Sequence, residues 1–147
     1  MNSVRHPAKI SQTPAGTGAT APPADAACSV NFWLLNKITA EITNAANGSA
    51  VLVNRSGAIS VTGTDGFGVD AVTLGTGTVT VMNTGTIAGA SGGTVVSGIN
   101  ASAQGGNVLV QNVGGITATG TDGTGITAST INSGTVTVDG TGAITAN

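Results

Sequence analysis

The chain has 147 residues, a formal net charge of −2 and three aromatic side chains, Phe32, Trp33 and Phe67. One domain is the natural count at this length. From Ser56 to Asn147 there is no Lys or Arg, and the charges are Asp65, Asp70, Asp122 and Asp139. So few cations and stacking rings exclude nucleic-acid binding and disfavour an anionic membrane surface.

Residues 1–30 differ from the rest. Thr13 to Asp25 is rich in Pro, Ala, Gly and Thr, a composition that reads as disordered linker; alternatively, the segment is an artefact of a wrongly placed start in a longer gene. Arg5 and Lys9 are not followed by the apolar run of a secretory signal. Phe32-Trp33-Leu34-Leu35 is far too short to span a membrane. Residues 31–50 read as an N-terminal cap and partial coil. The cap covers the open N-terminal end of a solenoid, and a solenoid end needs such a cover; a degenerate coil is the competing reading. Ile38-Thr39-Ala40 repeats the later Ile126-Thr127-Ala128, which sets the start of regular structure near Lys37.

From Val51 onward the chain repeats itself. Val51, Val79, Val108 and Val136 each open a V-x-V, at steps of 28, 29 and 28 residues. A glycine comes next at Gly57, Gly85, Gly114 and Gly142, then an isoleucine at Ile59, Ile87, Ile116 and Ile144. A third apolar run begins at Val69, Ile99 and Ile126. Period-two alternation with β-branched residues signals strand, and the intervening Gly, Asn, Ser, Thr and Asp signal turns. Three short strands per 28 residues predict an all-β, three-sided parallel β-helix, right-handed, with Val, Ile and Ala inside. The coils are 51–78, 79–107, 108–135 and an incomplete 136–147. The recurring glycine is expected to mark a corner where φ > 0 is needed. The extra residue of the second repeat falls near residues 92–97, and Gly89 there replaces a small apolar side chain, so that coil is expected to be looser. The chain stops in the second side of a coil, with no cap after Ala146.

Candidates for chemistry are few. His6, the only histidine, lies in the N-terminal segment without neighbours in the pattern. Cys28, the only cysteine, excludes an internal disulfide and has no spaced metal-binding partners. Asp65 and Asp122 share the slot in T-G-T-D-G. Two coils apart, they would stand roughly 9–10 Å from each other by the ordinary strand spacing, near the separation of inverting glycosidase carboxylates. The slot between them holds Gly93, and Asp-Gly at a corner is ordinary turn chemistry; this acidic pair is the alternative site. Calcium-binding nonapeptide repeats need a nine-residue period and a recurring Asp, which are absent. Asn83 and Asn112 share a slot and predict a two-rung amide ladder at a corner, flanked by Arg55 and Gly140. Thr78/Thr80 and Thr135/Thr137 begin a threonine array that Asn107 and Leu109 interrupt. No catalytic residue, cofactor or metal site is predicted.

The runs VTVMNTGTIAGASG, VLVQNVGGITATGTDGTGI and VTVDGTGAITA resemble the passenger repeats of bacterial autotransporter and haemagglutinin-type adhesins. The resemblance covers residues 37–147. It implies a right-handed β-helix displayed on the outer surface of Gram-negative cells, and no shared catalytic residue. The family's signal peptide and C-terminal barrel have no counterpart in this sequence, so the chain reads as a passenger fragment or a frame cut from a larger gene. The expected role is a non-enzymatic surface stalk or adhesin, on the cell surface or secreted. Its partners would be host or cell-surface glycans or proteins, and copies of itself through open coil ends. A carbohydrate-active enzyme using Asp65 and Asp122, or a non-functional truncated product, are the alternatives.

Overall fold

The computed structural model describes residues 9–12, 28–30, 34–35, 37–61, 66–89, 95–118 and 123–146. After β1 (Lys9–Gln12) the strands come in turns of three. They are β2 (Cys28–Val30), β3 (Leu34–Leu35) and β4 (Ile38–Ile42); β5 (Val51–Arg55), β6 (Ala58–Val61) and β7 (Gly66–Thr73); β8 (Val79–Asn83), β9 (Ile87–Gly89) and β10 (Val95–Ala103); β11 (Val108–Asn112), β12 (Ile116–Ala118) and β13 (Thr124–Thr130). β14 (Val136–Gly140) and β15 (Ile144–Ala146) complete the series. Strands of like position pair to give three five-stranded sheets, ordered β2-β5-β8-β11-β14, β3-β6-β9-β12-β15 and β1-β4-β7-β10-β13. Every pairing is parallel except β1 with β4. The fold is the parallel β-solenoid that the repeat predicts, with coils of about 28 residues.

Registry is set by the period. Val51, Val79, Val108 and Val136 stack, and so do Val53, Val81, Val110 and Val138. Ile59, Ile87, Ile116 and Ile144 form the row on the second side. Ala40, Ala71, Ala101 and Ala128 form one on the third. The members of these rows up to Ala118 are buried and make one continuous core. A one-residue slip would turn every Val outward, so the alternation fixes the register. The bonding continues through the corners: the amides of Val51, Val79 and Val108 donate to the carbonyls of Thr78, Asn107 and Thr135 at 2.8–2.9 Å.

The second repeat absorbs its extra length at a corner, as expected. Ile99 comes 20 residues after Val79, whereas Val69 and Ile126 come 18 after their V-x-V starts. The register of β10 against β7 shifts between Val95 and Ser97 and is regular beyond. Such a bulge leaves the stacked rows in place.

Two expectations are adjusted. The partial coil expected from Ile38-Thr39-Ala40 is present, with Ile38 beside Val69. Of the competing cap and coil readings for the residues before it, the described strands follow the coil, since β3 sets Leu35 beside Ile59 and β2 places a rung as early as Cys28, before Lys37. The alternation of Ile38, Ala40 and Ile42, all buried, makes them a coil. What lies against the third side at this end is β1, from the segment read as disordered. The second correction concerns the recurring glycine. Among the described residues, glycine φ is positive only at Gly134 and Gly140. Gly85, Gly114 and Gly142 are needed for space: a Cβ at each would overlap the carbonyl oxygen of the same glycine one coil below. The corner backbones stack too closely for any side chain.

Candidate functional site

Asp65 and Asp122, the acidic pair expected from the sequence, lie outside the described residues, as do Gly93 and His6. Among the described residues no group of three or more His, Cys, Asp or Glu is placed to hold a metal ion. Three features of the molecule stand out.

The first is a polar row inside the solenoid. Alternation along β5, β8 and β11 turns Arg55, Asn83 and Asn112 inward, and their register stacks them. Arg55 Nη1 donates to Asn83 Oδ1 at 2.5 Å, Asn83 Nδ2 to Asn112 Oδ1 at 2.6 Å, and Asn112 Nδ2 to the Gly114 carbonyl at 2.9 Å. Arg55 Nη2 also reaches the Thr86 carbonyl at 3.3 Å. The predicted two-rung Asn ladder is thus extended by Arg55, only 2% exposed. Burial, which disfavours the charged form, lowers its pKa from the ordinary guanidinium value to about 10. Each member satisfies the next, so the row is a structural element that the low dielectric strengthens. Sequence reasoning treated Arg55 as a break in the pattern. Its odd position in β5, in step with Val51 and Val53, was the available signal.

The second is an axial groove of about 350 Å³ where the first side turns into the second. Outward residues of one row, Asn54, Met82, Gln111 and Asp139, form one wall. Thr84, Val113 and Thr141, which come after the inward slot of each coil, form the other. Three coil steps span about 14 Å at the usual strand spacing. The groove offers amides, hydroxyls and one carboxylate beside the apolar side chains of Met82 and Val113. It was not anticipated, because its lining comes from residues whose identity varies between repeats.

The third is the end of the stack at β14 and β15. Val136, Val138 and Ile144 are 43%, 52% and 49% exposed, whereas Val108, Val110 and Ile116, one coil below, are at most 1% exposed. Beneath them a cavity of about 130 Å³ opens among Asn112, Ile126, Val138, Gly142 and Ile144. It lies beside the slot where Gly140 takes the ladder position.

The threonine array is broken as the sequence indicated. In the outward row of the first side, Leu52, Thr80, Leu109 and Thr137 alternate. On the third side, Asn100 Nδ2 donates to Asp70 Oδ1 at 2.8 Å, and Ser129 donates to Ser102 at 3.2 Å. These outward pairs tie neighbouring coils together.

No family model, no curated protein and no solved structure matches the chain.

Proposed function

We propose that the chain acts without catalysis, as a rod of the surface-stalk or adhesin type that makes contacts along its length. The observation that carries this reading is the axial groove. Asn54 and Gln111 supply both donors and acceptors, Thr84 and Thr141 supply hydroxyls, and Asp139 accepts. Set beside Met82 and Val113, this chemistry suits a hydroxyl-rich chain such as a glycan. The stacked register holds the groups at fixed axial spacing without any moving part. The likeness of the repeats to autotransporter passengers supports display outside a Gram-negative cell.

The test is binding of the intact chain to a panel of immobilised glycans and to whole cells. The reading predicts saturable binding that Asn54→Ala with Gln111→Ala lowers several-fold. Both residues face outward, so strand content should stay unchanged by circular dichroism. Absence of binding, or binding indifferent to the double substitution, overturns the groove as a contact site. Turnover of a bound glycan overturns the non-enzymatic reading in favour of an enzyme, with Asp65 and Asp122 as the first residues to replace.

A further inference from the structure

We propose that Asn47, in the corner between β4 and β5, is a site of spontaneous chemical modification: its side-chain amide is lost through a cyclic imide formed with Gly48, and the backbone there becomes isoaspartyl. The proposal stands independently of the groove and of any surface role.

The first observation is the corner itself. Residues 43–50 connect β4 to β5. They hold two side-chain turns of the same kind. The Ala46 amide donates to Asn44 Oδ1 at 3.0 Å, and the Ser49 amide donates to Asn47 Oδ1 at 2.8 Å. Each turn closes a ring that contains both the side-chain Cγ and the backbone nitrogen of the next residue. Those are the two atoms that must meet to form the imide. The Ser49 amide also points at the oxygen on which negative charge develops when Cγ is attacked, so it stabilises the reacting state.

The second observation is what separates the two turns. Ala45 follows Asn44, whereas Gly48 follows Asn47, and Asn47-Gly48 is the one Asn-Gly in the chain. With no Cβ beside it, a glycine nitrogen is free to rotate onto Cγ. Gly48 is exposed, and its amide makes no hydrogen bond to another described residue. At other asparagines the following amide is held. Thr84 donates to the Arg55 carbonyl, Val108 to that of Thr135 and Val113 to that of Asn83, at 2.8–2.9 Å. Asn83, Asn107 and Asn112 must therefore break a coil-to-coil bond before an imide can form. Asn54 and Asn100 lie inside β5 and β10.

The reaction needs only the chain and water. The Gly48 nitrogen gives its proton to solvent base and bonds to Asn47 Cγ. The Cγ–Nδ2 bond breaks, and Nδ2 leaves as ammonia. Water then opens the imide at either carbonyl. Opening at the main-chain carbonyl leaves the backbone running through Cγ, one carbon longer, with a new carboxylate at the branch. The third observation is what rests on this corner. The Thr76 amide donates to the Asn47 main-chain carbonyl at 3.0 Å, and a Cβ at Gly75 would overlap that same oxygen. The corner of the next coil is thus stacked on Asn47 without slack. Lengthening and charging the backbone here weakens a coil junction, and such junctions hold a solenoid together.

The experiment ages the full chain at mildly alkaline pH, with circular dichroism confirming strand content. Samples taken over weeks are digested and mapped by mass spectrometry, and isoaspartate is read with a methyltransferase specific for isoaspartyl residues. Conversion to isoaspartate should appear at Asn47 first, about tenfold or more ahead of Asn44. Gly48→Ala should bring Asn47 down to the rate of Asn44. A Cβ at Gly48 meets only the Thr76 hydroxyl, at 3.5 Å, so this variant keeps the fold. Ala45→Gly should raise the rate at Asn44 by a similar factor. Aged wild type should melt at a lower temperature than fresh protein, and aged Gly48→Ala should not. Amide loss at Asn47 no faster than at Asn44 or Asn132 overturns the proposal, and so does a product without isoaspartate, which would mean direct hydrolysis. A modified chain that melts like the fresh one overturns the link to stacking.

Discussion

The coil at β11 and β12 and the coil at β14 and β15 are written almost alike, yet they live in different solvents. Val108-Leu109-Val110 leads to Ile116-Thr117-Ala118, and Val136-Thr137-Val138 to Ile144-Thr145-Ala146. In the first, Val108, Val110 and Ile116 are buried; in the second, their counterparts stand about half exposed. The same residues with the same backbone thus contribute different stability, because burial here is supplied by neighbours above and below. A solenoid is close to one-dimensional, and a coil with one neighbour keeps roughly half of its stacking contacts. The lesson concerns where the fold's energy resides: in the interfaces between coils more than within any coil.

The largest effect that would break this comparison is a charge placed in equivalent slots. Val110→Asp buries an unpaired carboxylate and should cost at least about 4 kcal/mol, enough to unfold the central coils. Val138→Asp, at the bare position, should cost under about 1 kcal/mol at concentrations where the chain is monomeric. Denaturant titration of both variants checks the pair; equal losses would show that the terminal coil is as closed as the central one.

The polar row sharpens the comparison next. Arg55→Ala strips the buried Asn83 carbonyl of its donor and leaves a cavity, at an expected cost of about 3 kcal/mol. Arg55→Asn, which can continue the amide ladder without a buried charge, should cost clearly less. The pH dependence has a definite sign. The folded-state pKa of Arg55, about 10, lies below the ordinary guanidinium value, so between the two the unfolded chain binds more protons. Burial of the charged form therefore penalises the fold below about 10, and that penalty is relieved as pH rises above it. Between pH 9 and 11 the wild type should gain stability relative to Arg55→Asn. Unfolding midpoints of the two proteins at both pH values test this, and a constant difference would contradict the lowered pKa.

Smaller still is the contrast of two adjacent glycines. At Gly114 a Cβ would strike the Gly85 carbonyl, so Gly114→Ala should cost about 1–3 kcal/mol. At Gly115 the nearest atom to a Cβ is the Ala143 oxygen at 3.9 Å, so Gly115→Ala should lie within about 0.5 kcal/mol of the wild type. Thermal melts of the two variants decide it. Similar losses at both sites would mean that conformational freedom, rather than stacking distance, explains the recurring glycine.

The architecture was legible because the period is carried by the residues that fill the interior. The V-x-V and its partner Ile are selected by burial, and burial is periodic, so Val51 could be placed beside Val79 from spacing alone. The same logic located the length change near residues 92–97. It failed where a position's demand was not burial of an apolar group. Gly85 and Gly114 are spaced like turn residues, but their role depends on the distance between stacked backbones, which no single coil reveals. In the sequence Arg55 reads as the residue at which the two-rung ladder stops, since an inward Arg is legible only after Asn83 is known to accept from it. The rungs before Val51 have lost the V-x-V and kept only Ile38-Thr39-Ala40, too little to distinguish coil from cap. The groove depends on Asn54, Gln111 and Thr141, outward positions free to vary, and variation leaves no pattern to read.

The most direct test of coil-by-coil stabilisation is native-state amide hydrogen exchange on the dilute, monomeric chain. The amides of Val108–Asn112 should exchange with opening free energies near the global value, and those of Val136–Gly140 markedly faster, with the boundary at the last junction. Equal protection of the two segments in the monomer would contradict the view that each coil is held by the coils on either side of it.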